Sequence, residues 1–349
     1  MAKWRRVFTF VGRVFWAMRR SRQKTLSDVV VGLLRTQAVG LAAIARGMVD
    51  RTTVRHRVKR IGRFLGNEAL CPLEVSRYLI DVIVPAEREN VIAVDWTDRG
   101  EYMLLKASLV FHRRALPLVW CHVWKWVYEK SQNDVEERLM LQLAHLVGQR
   151  PWVLVADRGF GRTELFRRLN ETGIPYVIRA KDNVWMHHKR YQGKVWDMPR
   201  RPGMRAFYRG VAWRKKRPVT VNLAVVHKGE APQPWFLVTN LDRPVHRIGQ
   251  LYAKRMGIEE GIRDCKSGLR LKDHWLSTPE RMDRMMVLVA VAMLLIALTA
   301  SASLARGENR QVTTHKRTQR CASYFTLGCR ILETCPQDLC INLKVLHAV

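Results

Sequence analysis

Acidic residues and organised cysteines are scarce in this 349-residue sequence. Asp and Glu number 30 against 61 Lys and Arg, so the formal net charge is +31. The seven cysteines lack framework spacing, which excludes a disulfide scaffold and indicates a reducing compartment. Four of them lie near the C-terminus without the paired C-x-x-C rhythm of a structural zinc site: Cys321, Cys329, Cys335 and Cys340.

Targeting and membrane-spanning signals are also weak. Arg13 interrupts the apolar stretch at residues 7–18 and no small-residue cleavage site follows, so we expect no signal peptide and a cytoplasmic protein. Only residues 285–305 form a long uncharged run. That run is long enough to span a bilayer, but a helix buried on all sides in a large core has the same composition. Because no second span accompanies it, we favour the core helix and keep a membrane protein as the alternative.

Positive charge recurs in every segment of the chain and is not confined to a tail. Such a charge repels itself unless the protein meets a polyanion. Nucleic acid is the first candidate, because Lys and Arg neutralise backbone phosphates, and an anionic membrane surface is the second. With 48% hydrophobic residues, the chain is expected to be globular, nucleoid-associated and divided into roughly two to three domains.

The N-terminal section, residues 1–85, has helical periodicity. A short helix is predicted from residue 40, and cap-type Thr52 and Thr53 precede a basic helix at residues 54–65. Two short helices with a turn between them indicate a helix-turn-helix-like DNA-binding region at residues 40–65, although a basic helix in an ordinary bundle has the same pattern. The apolar stripe of the second helix comprises Val54, Val58, Ile61 and Leu65. The cations expected to contact DNA are Arg55, Arg57, Lys59 and Arg60.

Residues 86–180 alternate between strand and helix patterns, which indicates a mixed α/β layer. The predicted strands are 91–95, 101–111, 114–124, 152–157 and 176–179, and the predicted helices are 132–147 and 163–171. Residues 181–242 form a β-rich insertion, with strand patterns at 206–212, 218–227 and 235–239. Residues 243–305 return to the core, and residues 306–349 are a tail.

Two carboxylates end apolar strands of the core section. Neighbouring strands would place Asp95 and Asp157 close together, at the sheet edge where ligands usually bind. Like charges there repel, and a divalent cation removes that cost; oxygen ligands favour Mg²⁺ or Mn²⁺. Either Asp could instead cap a turn. Asp98 competes with Asp95 but lies beyond the predicted strand, so we rank it lower.

A polar stripe in the second core section comprises Tyr252, Arg255, Glu259 and Lys266. On one α-helix these residues lie within roughly 60° of one another, whereas Glu260 points about 100° away. The alternative is a solvated helix face with ion pairs. Two strand-end Asp and one helical Glu can hold two metal ions, which can activate an attacking oxygen and stabilise a leaving oxygen. The sequence therefore predicts phosphodiester cleavage or transfer.

These motifs together resemble those of a DDE transposase. The stripe matches, at every gap, the Y-R-E-K signature of the insertion-sequence-four group of bacterial insertion sequences. The Asp-Arg-Gly-Phe run at Asp157 resembles the second-Asp motif of that group, and the strand that leads to Asp95 resembles the first. Trp96 departs from the pattern, because small residues are common after the first Asp.

The resemblance implies an RNase H-like mixed sheet with flanking helices, interrupted by a β-rich insertion and preceded by a helical DNA-binding region. Asp95, Asp157 and Glu259 would be the catalytic residues and the ligands of two Mg²⁺ or Mn²⁺ ions. Transposon-end phosphates would contact Tyr252, Arg255 and Lys266. The resemblance also implies a base pocket with Trp235 as its tryptophan and Trp185 and Trp213 as rivals.

The function that the resemblance implies is cut-and-paste DNA transposition. Water would cleave the transposon end, and the freed 3′-hydroxyl would then attack DNA, often through a hairpin. The partners would be transposon-end and target DNA, held by a homodimer. A nuclease-only enzyme on the same core and a catalytically inactive, transposase-derived DNA-binding protein are the alternatives.

Overall fold

Ten strands in the described part of the chain form one mixed sheet. The computed structural model describes residues 4–181, 183–199, 201–227, 233–271, 276–307 and 323–346. The strands are β1 (Asn90–Arg99), β2 (Tyr102–Phe111), β3 (Arg114–Trp124), β4 (Trp152–Ala156), β5 (Tyr176–Arg179), β6 (Trp185–His188), β7 (Tyr191–Lys194), β8 (Arg205–Trp213), β9 (Val219–Val226) and β10 (Trp235–Thr239). Their order across the sheet is β3-β2-β1-β4-β5-β10-β9-β8-β6-β7.

Helices in the same ranges flank this sheet and form the N-terminal section. They are α1 (Arg5–Val14), α2 (Arg20–Thr36), α3 (Leu41–Gly47), α4 (Val54–Leu65), α5 (Pro72–Ile83), α6 (Lys125–Val147), α7 (Thr163–Glu171), α8 (Val245–Ala253), α9 (Met256–Arg263), α10 (Pro279–Ala305) and α11 (Tyr324–Thr334). The predicted mixed α/β fold is confirmed. The predicted helix at residues 163–171 coincides with α7.

The core section supplies five adjacent strands. β1, β4 and β5 run parallel, and β2 runs antiparallel to β1 and β3. β1 is longer than predicted, because its pairing with β2 continues to Arg99 after its pairing with β4 has ended at Val94. The prediction that Asp95 ends the strand is therefore wrong. Asp95 is still the first residue beyond the ladder that joins β1 to β4.

The strands of residues 181–242 extend the core sheet. β10 pairs antiparallel with β5 on one side and with β9 on the other, and β8, β6 and β7 continue the ladder. Pairing with β10 satisfies the edge of β5, which would otherwise expose its backbone donors and acceptors. β6 and β7 are absent from the sequence prediction, since strands of four residues show too little alternation to be recognised.

Two apolar layers cover the faces of the core strands. α9 lies across β1, β2 and β3, and α8 lies over β4, β5 and strands of the insertion; α5, α6 and α10 pack against β3 on the other side. The layer under α8 and α9 contains Val91, Ala93, Val153 and Val155. Because side chains alternate along a strand, Asp95 shares that face, whereas Trp96 points toward α6.

The long uncharged run forms most of α10. By length and composition α10 could cross a membrane, but its apolar stretch is entirely buried inside the protein. It packs against α2, α4, α5, α11 and β3. The Thr278 hydroxyl accepts a hydrogen bond from the Arg281 amide and caps its start. The arrangement favours the core-helix interpretation over a membrane span.

In the N-terminal section, α2, α3 and α4 pack closely together. A Cβ atom on Gly47 would lie 2.3 Å from the carbonyl oxygen of Gly32, so the approach of α3 to α2 requires glycine. Thr53 caps α4 through the His56 amide, as predicted. Val54 does not belong to the buried stripe, because its side chain is 42% exposed. The buried residues of α4 are Ile61, Phe64 and Leu65.

Candidate active site

The register of two parallel strands brings Asp95 and Asp157 together. Val94 of β1 pairs with Ala156 of β4, so the next residue on each strand falls at the same level. Adjacent strands lie about 4.8 Å apart, and both side chains point toward α8 and α9. The sequence expectation that the two carboxylates are neighbours therefore agrees with the register.

Burial makes the charge on Asp95 costly. Desolvation raises the pKa of Asp95 to about 6; the charge of Asp157 adds to this rise, and Arg255 opposes it. The side chain of Asp95 is 18% exposed. A cation close to the carboxylate would offset this desolvation and favour the ionised form.

A tight turn orients Asp157. Its Oδ1 accepts a hydrogen bond from the Gly159 amide at 2.8 Å and caps a single 3₁₀ turn, Arg158–Phe160. A Cβ atom on Gly159 would lie 2.9 Å from the same oxygen, so the Asp-Arg-Gly sequence permits this contact. The capping interpretation and the site interpretation are compatible, because the cap uses one carboxylate oxygen.

The polar stripe does not lie on one uninterrupted helix. α8 ends at Ala253, just after Tyr252, and Arg255 occupies the N-cap position of α9. The Arg255 amide bonds to the Tyr252 carbonyl, a tight i→i−3 contact. Lys266 lies in a π-helical turn, Asp264–Gly268. The prediction of one continuous α-helix is therefore wrong, since a tight turn and a wide turn replace regular α-helical steps.

Arg255 lies close to Asp95 and to two other residues of the stripe, Tyr252 and Glu259. Its guanidinium forms an ion pair with Glu259, lies 4.0 Å from Asp95 Oδ2, and lies 5.9 Å from the centre of the Tyr252 ring. The Arg255 side chain is 11% exposed, and its Nε has no hydrogen-bond partner among the described residues. One buried cation thus lies between the first Asp and the helical Glu.

The two consecutive glutamates of α9 point in different directions. Glu259 is 45% exposed and meets Arg255. Glu260 instead lies 2.5 Å from Arg114 of β3 and 2.9 Å from Arg263. Glu260 therefore belongs to an ion-pair cluster away from Asp95.

Lys266 and Asp98 lie toward the end of β1. A hydrogen bond from Lys125 lowers the pKa of Asp98, and the charge of Lys266 contributes to the same effect. Asp98 is 60% exposed, 2.8 Å from Lys125 Nζ, and its Oδ1 accepts a bond from the Gly100 amide. Asp98 thus acts as a turn cap and ion-pair partner, which keeps it behind Asp95 as a candidate ligand.

Only one of the three candidate pocket tryptophans contacts the stripe in the described structure. Trp235 packs edge-to-face against Tyr252 with ring centres 5.0 Å apart. Trp213 is 1% exposed and belongs to the core. Trp185 lies under the Lys215 ammonium, 4.4 Å from the ring centre. Arg179, at the end of β5, was treated in sequence only as part of a strand, yet its charge reaches the Tyr252 hydroxyl.

A buried polar cluster on the opposite face of β1 escaped the sequence interpretation. The fully buried Glu136 carboxylate accepts bonds from Trp96 Nε1 at 2.7 Å and Gln132 Nε2 at 2.8 Å, and it forms an ion pair with Arg162. Trp96 follows Asp95, and Arg162 follows the Asp157 turn, so Glu136 ties both segments to α6. The sequence contained one signal for this cluster. Glu136 precedes Leu139 by one helical turn, so a charged residue lies on the apolar side of the predicted helix.

The four predicted DNA-contacting cations of α4 divide into two pairs. Arg57 bonds Asp50 Oδ1 at 2.9 Å and the Met48 carbonyl at 2.8 Å, and Arg60 also pairs with Asp50. Arg55 and Lys59 are exposed. The structure therefore assigns the first pair to holding α4 in place and leaves the second pair on the surface.

The sequence comparison identifies the family. The family described as transposase DDE domain matches residues 48–295. The chain belongs to this family. The match begins before α4, ends within α10, and includes Asp95, Asp157 and Glu259.

Solved structures match this chain, whereas no curated protein does. The cryo-EM structure of a piggyBac transposase synaptic complex with hairpin DNA is similar at 11% identity and a TM-score of 0.43, and the match covers 95% of this chain and 71% of that one.

The described ranges contain carboxylates and thiols that are candidate metal ligands. No three His, Cys, Asp or Glu side chains there converge closely enough to hold an ion. Of the C-terminal cysteines, Cys329, Cys335 and Cys340 are free thiols, and Cys321 lies outside the described residues. At the candidate site the donors are carboxylate oxygens, which suit Mg²⁺ or Mn²⁺. Their mutual repulsion at Asp95 fits a cation, although Glu259 is turned toward Arg255.

Proposed function

We propose that this transposase binds transposon-end DNA and catalyses divalent-metal-dependent phosphodiester hydrolysis followed by strand transfer. The observation that carries the proposal is the placement of Asp95 and Asp157 side by side at the end of their shared ladder, with Glu259 joined to Asp95 through Arg255. Asp95 lies on β1, Asp157 directly follows β4, and Glu259 lies on α9. That arrangement is what a site for a phosphodiester and cations requires.

The order of the core strands supports an RNase H-like sheet. The order β3-β2-β1-β4-β5 with β2 antiparallel places the carboxyl ends of β1 and β4 at one edge. We propose further that the chain belongs to the insertion-sequence-four group, because the spacing from Tyr252 to Lys266 matches the Y-R-E-K signature. β6 to β10 would be the β-rich insertion between the second Asp and Glu259.

Asp95, Asp157 and Glu259 are the proposed ligands. When bound, two divalent cations would supply an activated nucleophile and charge stabilisation at the phosphate. Burial of Asp95 beside Asp157 favours cation capture. Arg255, once Glu259 turns to the metal, is positioned to pair with a DNA phosphate, as its planar fork suits bidentate contact. Arg179 and Lys266 extend this polar surface, whereas Tyr252, predicted to contact phosphates, is only 4% exposed and packs against Trp235 and beside Arg255.

DNA contacts outside the catalytic centre are proposed for α4 and β10. Arg55 and Lys59 are exposed on α4 and suited to backbone phosphates. Arg57 and Arg60 support that helix through Asp50. Trp235, edge-on to Tyr252, is the proposed wall of a base pocket.

The proposal is tested by supplying pre-cleaved transposon ends with a target plasmid and Mg²⁺. The wild-type protein is expected to join the ends to the plasmid, and Asp157→Ala to abolish joining. Cleavage of uncut ends without joining would instead identify a nuclease. Binding of the ends without either reaction would identify an inactive DNA-binding derivative. Sedimentation of the end complex would test the proposed homodimer.

A further inference from the structure

Trp126 is a large apolar side chain left in solvent close to the candidate active site. It is 59% exposed, although an indole gains more from burial than most side chains. Trp126 is the second residue of α6, directly after β3. The catalytic assignments above do not use it.

The strand register places this first turn of α6 at the edge where β1 ends. β1 and β3 both run antiparallel to β2, and Tyr102 pairs with Arg99 on one side and Trp124 on the other. The Lys125 amide donates to the Glu101 carbonyl at 2.9 Å. Lys125 Nζ lies 2.8 Å from Asp98. The residue before Trp126 is thus fastened to the strand that carries Asp95.

The next residues of the helix reach toward Asp157. The Tyr128 ring packs edge-to-face on Trp96 with centres 4.9 Å apart. The Trp96 indole in turn donates to Glu136, which also forms an ion pair with Arg162, shortly after the Asp157 turn. Trp126 therefore sits on a short segment bounded by Asp98 at one end and by the neighbourhood of Asp157 at the other.

A kink separates this segment from the rest of α6. Ser131 has φ −132° and ψ 22°, outside the helical region. Residues 125–130 are therefore aimed by their own contacts to β1 and Trp96. The kink lets an exposed aromatic turn project at the sheet edge without disturbing the buried part of α6, which begins at Val135.

Lysines lie close to the indole and on the same helical segment. Lys130 Nζ lies 5.9 Å from the centre of the Trp126 ring. Lys125 and Lys266 both act on Asp98 from the same region, and Glu129 is the acidic neighbour in the segment. An exposed aromatic face with flanking lysines is the combination that binds single-stranded nucleic acid, because bases stack on the ring and phosphates meet the ammonium groups.

We propose that Trp126 is a stacking platform for an unpaired base of DNA held at the active site, with Lys125 and Lys130 contacting the adjacent phosphates. This inference rests on the proposed function, which supplies DNA next to Asp95 and Asp157. Bases inside a duplex are already stacked on their neighbours, so the indole favours a base that has left the duplex or lies in a single-stranded extension. The site is separate from Trp235, which meets Tyr252 over the other face of the sheet.

The test compares two DNAs, a short duplex and the same duplex with a single-stranded extension of a few nucleotides, without divalent metal so that no cleavage occurs. Trp126→Ala is expected to weaken binding of the extended DNA by about 5- to 150-fold and to leave duplex binding within about twofold. Trp126→Phe keeps an aromatic face and should retain most of the affinity. Trp16→Ala is the matched control, because Trp16 is 74% exposed and also precedes cations in sequence.

A fluorescent base provides a second readout. With 2-aminopurine in the extension, wild type and Trp126→Phe should quench its fluorescence on binding, and Trp126→Ala should not. Equal quenching by wild type and Trp126→Ala, an equal loss of affinity for both DNAs, or no wild-type preference for the extension would each overturn the proposal. A Trp126-dependent preference in a protein that never joins ends would leave this site standing and reject the proposed transposition.

Discussion

The two faces of β1 hold carboxylates in opposite states. On the α6 face, Glu136 is fully buried and meets Trp96, Gln132 and Arg162. On the α9 face, Asp95 is also largely buried, but it lies beside a second carboxylate, and its nearest cation, Arg255, is 4.0 Å away and paired with Glu259. Glu136 thus has hydrogen-bond donors and a close counter-ion, whereas the ion pair that Asp95 makes in the described structure is the longer one to Arg255.

The two carboxylates therefore have different roles: Glu136 supports the structure, and Asp95 is a candidate for the chemistry. A buried hydrogen-bonded network fixes geometry, and here the Glu136 carboxylate is held by three partners. A buried carboxylate with a raised pKa and a like-charged neighbour is typical of a site that takes up a cation. β1 thus joins a rigid cluster to a reactive one within two consecutive residues, Asp95 and Trp96.

Removing a carboxylate of the candidate active site, on the α9 side of the sheet, should have the largest effect on DNA cleavage. We expect Asp157→Ala to lower DNA strand cleavage by on the order of 10³-fold or more, the scale seen when one member of a catalytic unit is removed. Asp98→Ala, which removes an exposed carboxylate from the same strand as Asp95, should keep cleavage within about tenfold. Single-turnover cleavage assays measure both. Comparable losses in the two variants would contradict the assignment.

Disrupting the Glu136 cluster on the α6 side of β1 should mainly reduce the free energy of unfolding. Glu136→Gln leaves the Arg162 guanidinium buried without its counter-ion, which should cost about 3–5 kcal/mol of unfolding free energy. Trp96→Phe removes one donor and should cost about 1–2 kcal/mol. Urea unfolding measures both, with exposed Glu129→Gln on α6 as the control. If Glu136→Gln were as stable as the control, the cluster would not support the site.

A further buried carboxylate, Asp264, allows the effect of burial on a carboxyl pKa to be tested by varying the pH. Burial raises the pKa of Asp264 to about 6 against the charge of Arg114, and its Oδ2 has no hydrogen-bond partner in the described ranges. The folded protein therefore binds this proton more tightly than the unfolded chain, so stability should fall as pH rises from about 4 to about 6. The span from 3.8 to about 6 corresponds to about 3 kcal/mol.

Asp264→Asn should remove that part of the pH dependence. The measurement is the free energy of unfolding across this pH range, taken as the difference between wild type and variant. Asp242→Asn, at a 61% exposed carboxylate, should follow the wild-type curve. Parallel curves for wild type and Asp264→Asn would show that the Asp264 carboxyl does not titrate in this way.

The smallest expected effects separate paired from exposed cations on α4. Arg55→Ala should reduce the slope of log affinity against log salt by about one and leave stability unchanged. Arg57→Ala should reduce stability by about 1–3 kcal/mol, since it removes bonds to Asp50 and to the Met48 carbonyl. Salt titrations of DNA binding and thermal unfolding distinguish them. An unchanged slope for Arg55→Ala would remove α4 from the DNA surface.

Periodicity in the sequence was sufficient for the core strands and for the neighbouring positions of Asp95 and Asp157. Alternation and apolar runs are local properties, and parallel pairing of two such strands follows from the βαβ order. The same reasoning failed at β6 and β7, which are too short, and at the end of β1, where the β2 hairpin prolongs the strand.

Side-chain partnerships were less accessible to sequence. The π turn at Lys266 and the break before Arg255 alter the helical phase, and single irregular turns leave no periodic signal. Arg57 was predicted to contact DNA, but in the structure it pairs with Asp50. The sequence analysis made no prediction for Glu136, which in the structure meets Trp96 and Arg162. Trp96 and Arg162 lie 40 and 26 residues from Glu136, so tertiary packing decides those pairings, and Asp50 lies outside α4, where helical periodicity cannot place it.

Metal binding tests the central claim most directly, because the account assigns Glu259 but not Glu260 to the cation site. Calorimetric titration with Mn²⁺ should show at least about tenfold weaker binding for Glu259→Gln than for wild type and unchanged binding for Glu260→Gln. Glu260→Gln loses only its ion pairs with Arg114 and Arg263. Equal Mn²⁺ affinity in wild type and Glu259→Gln, or equal loss in both variants, would contradict the proposed active site.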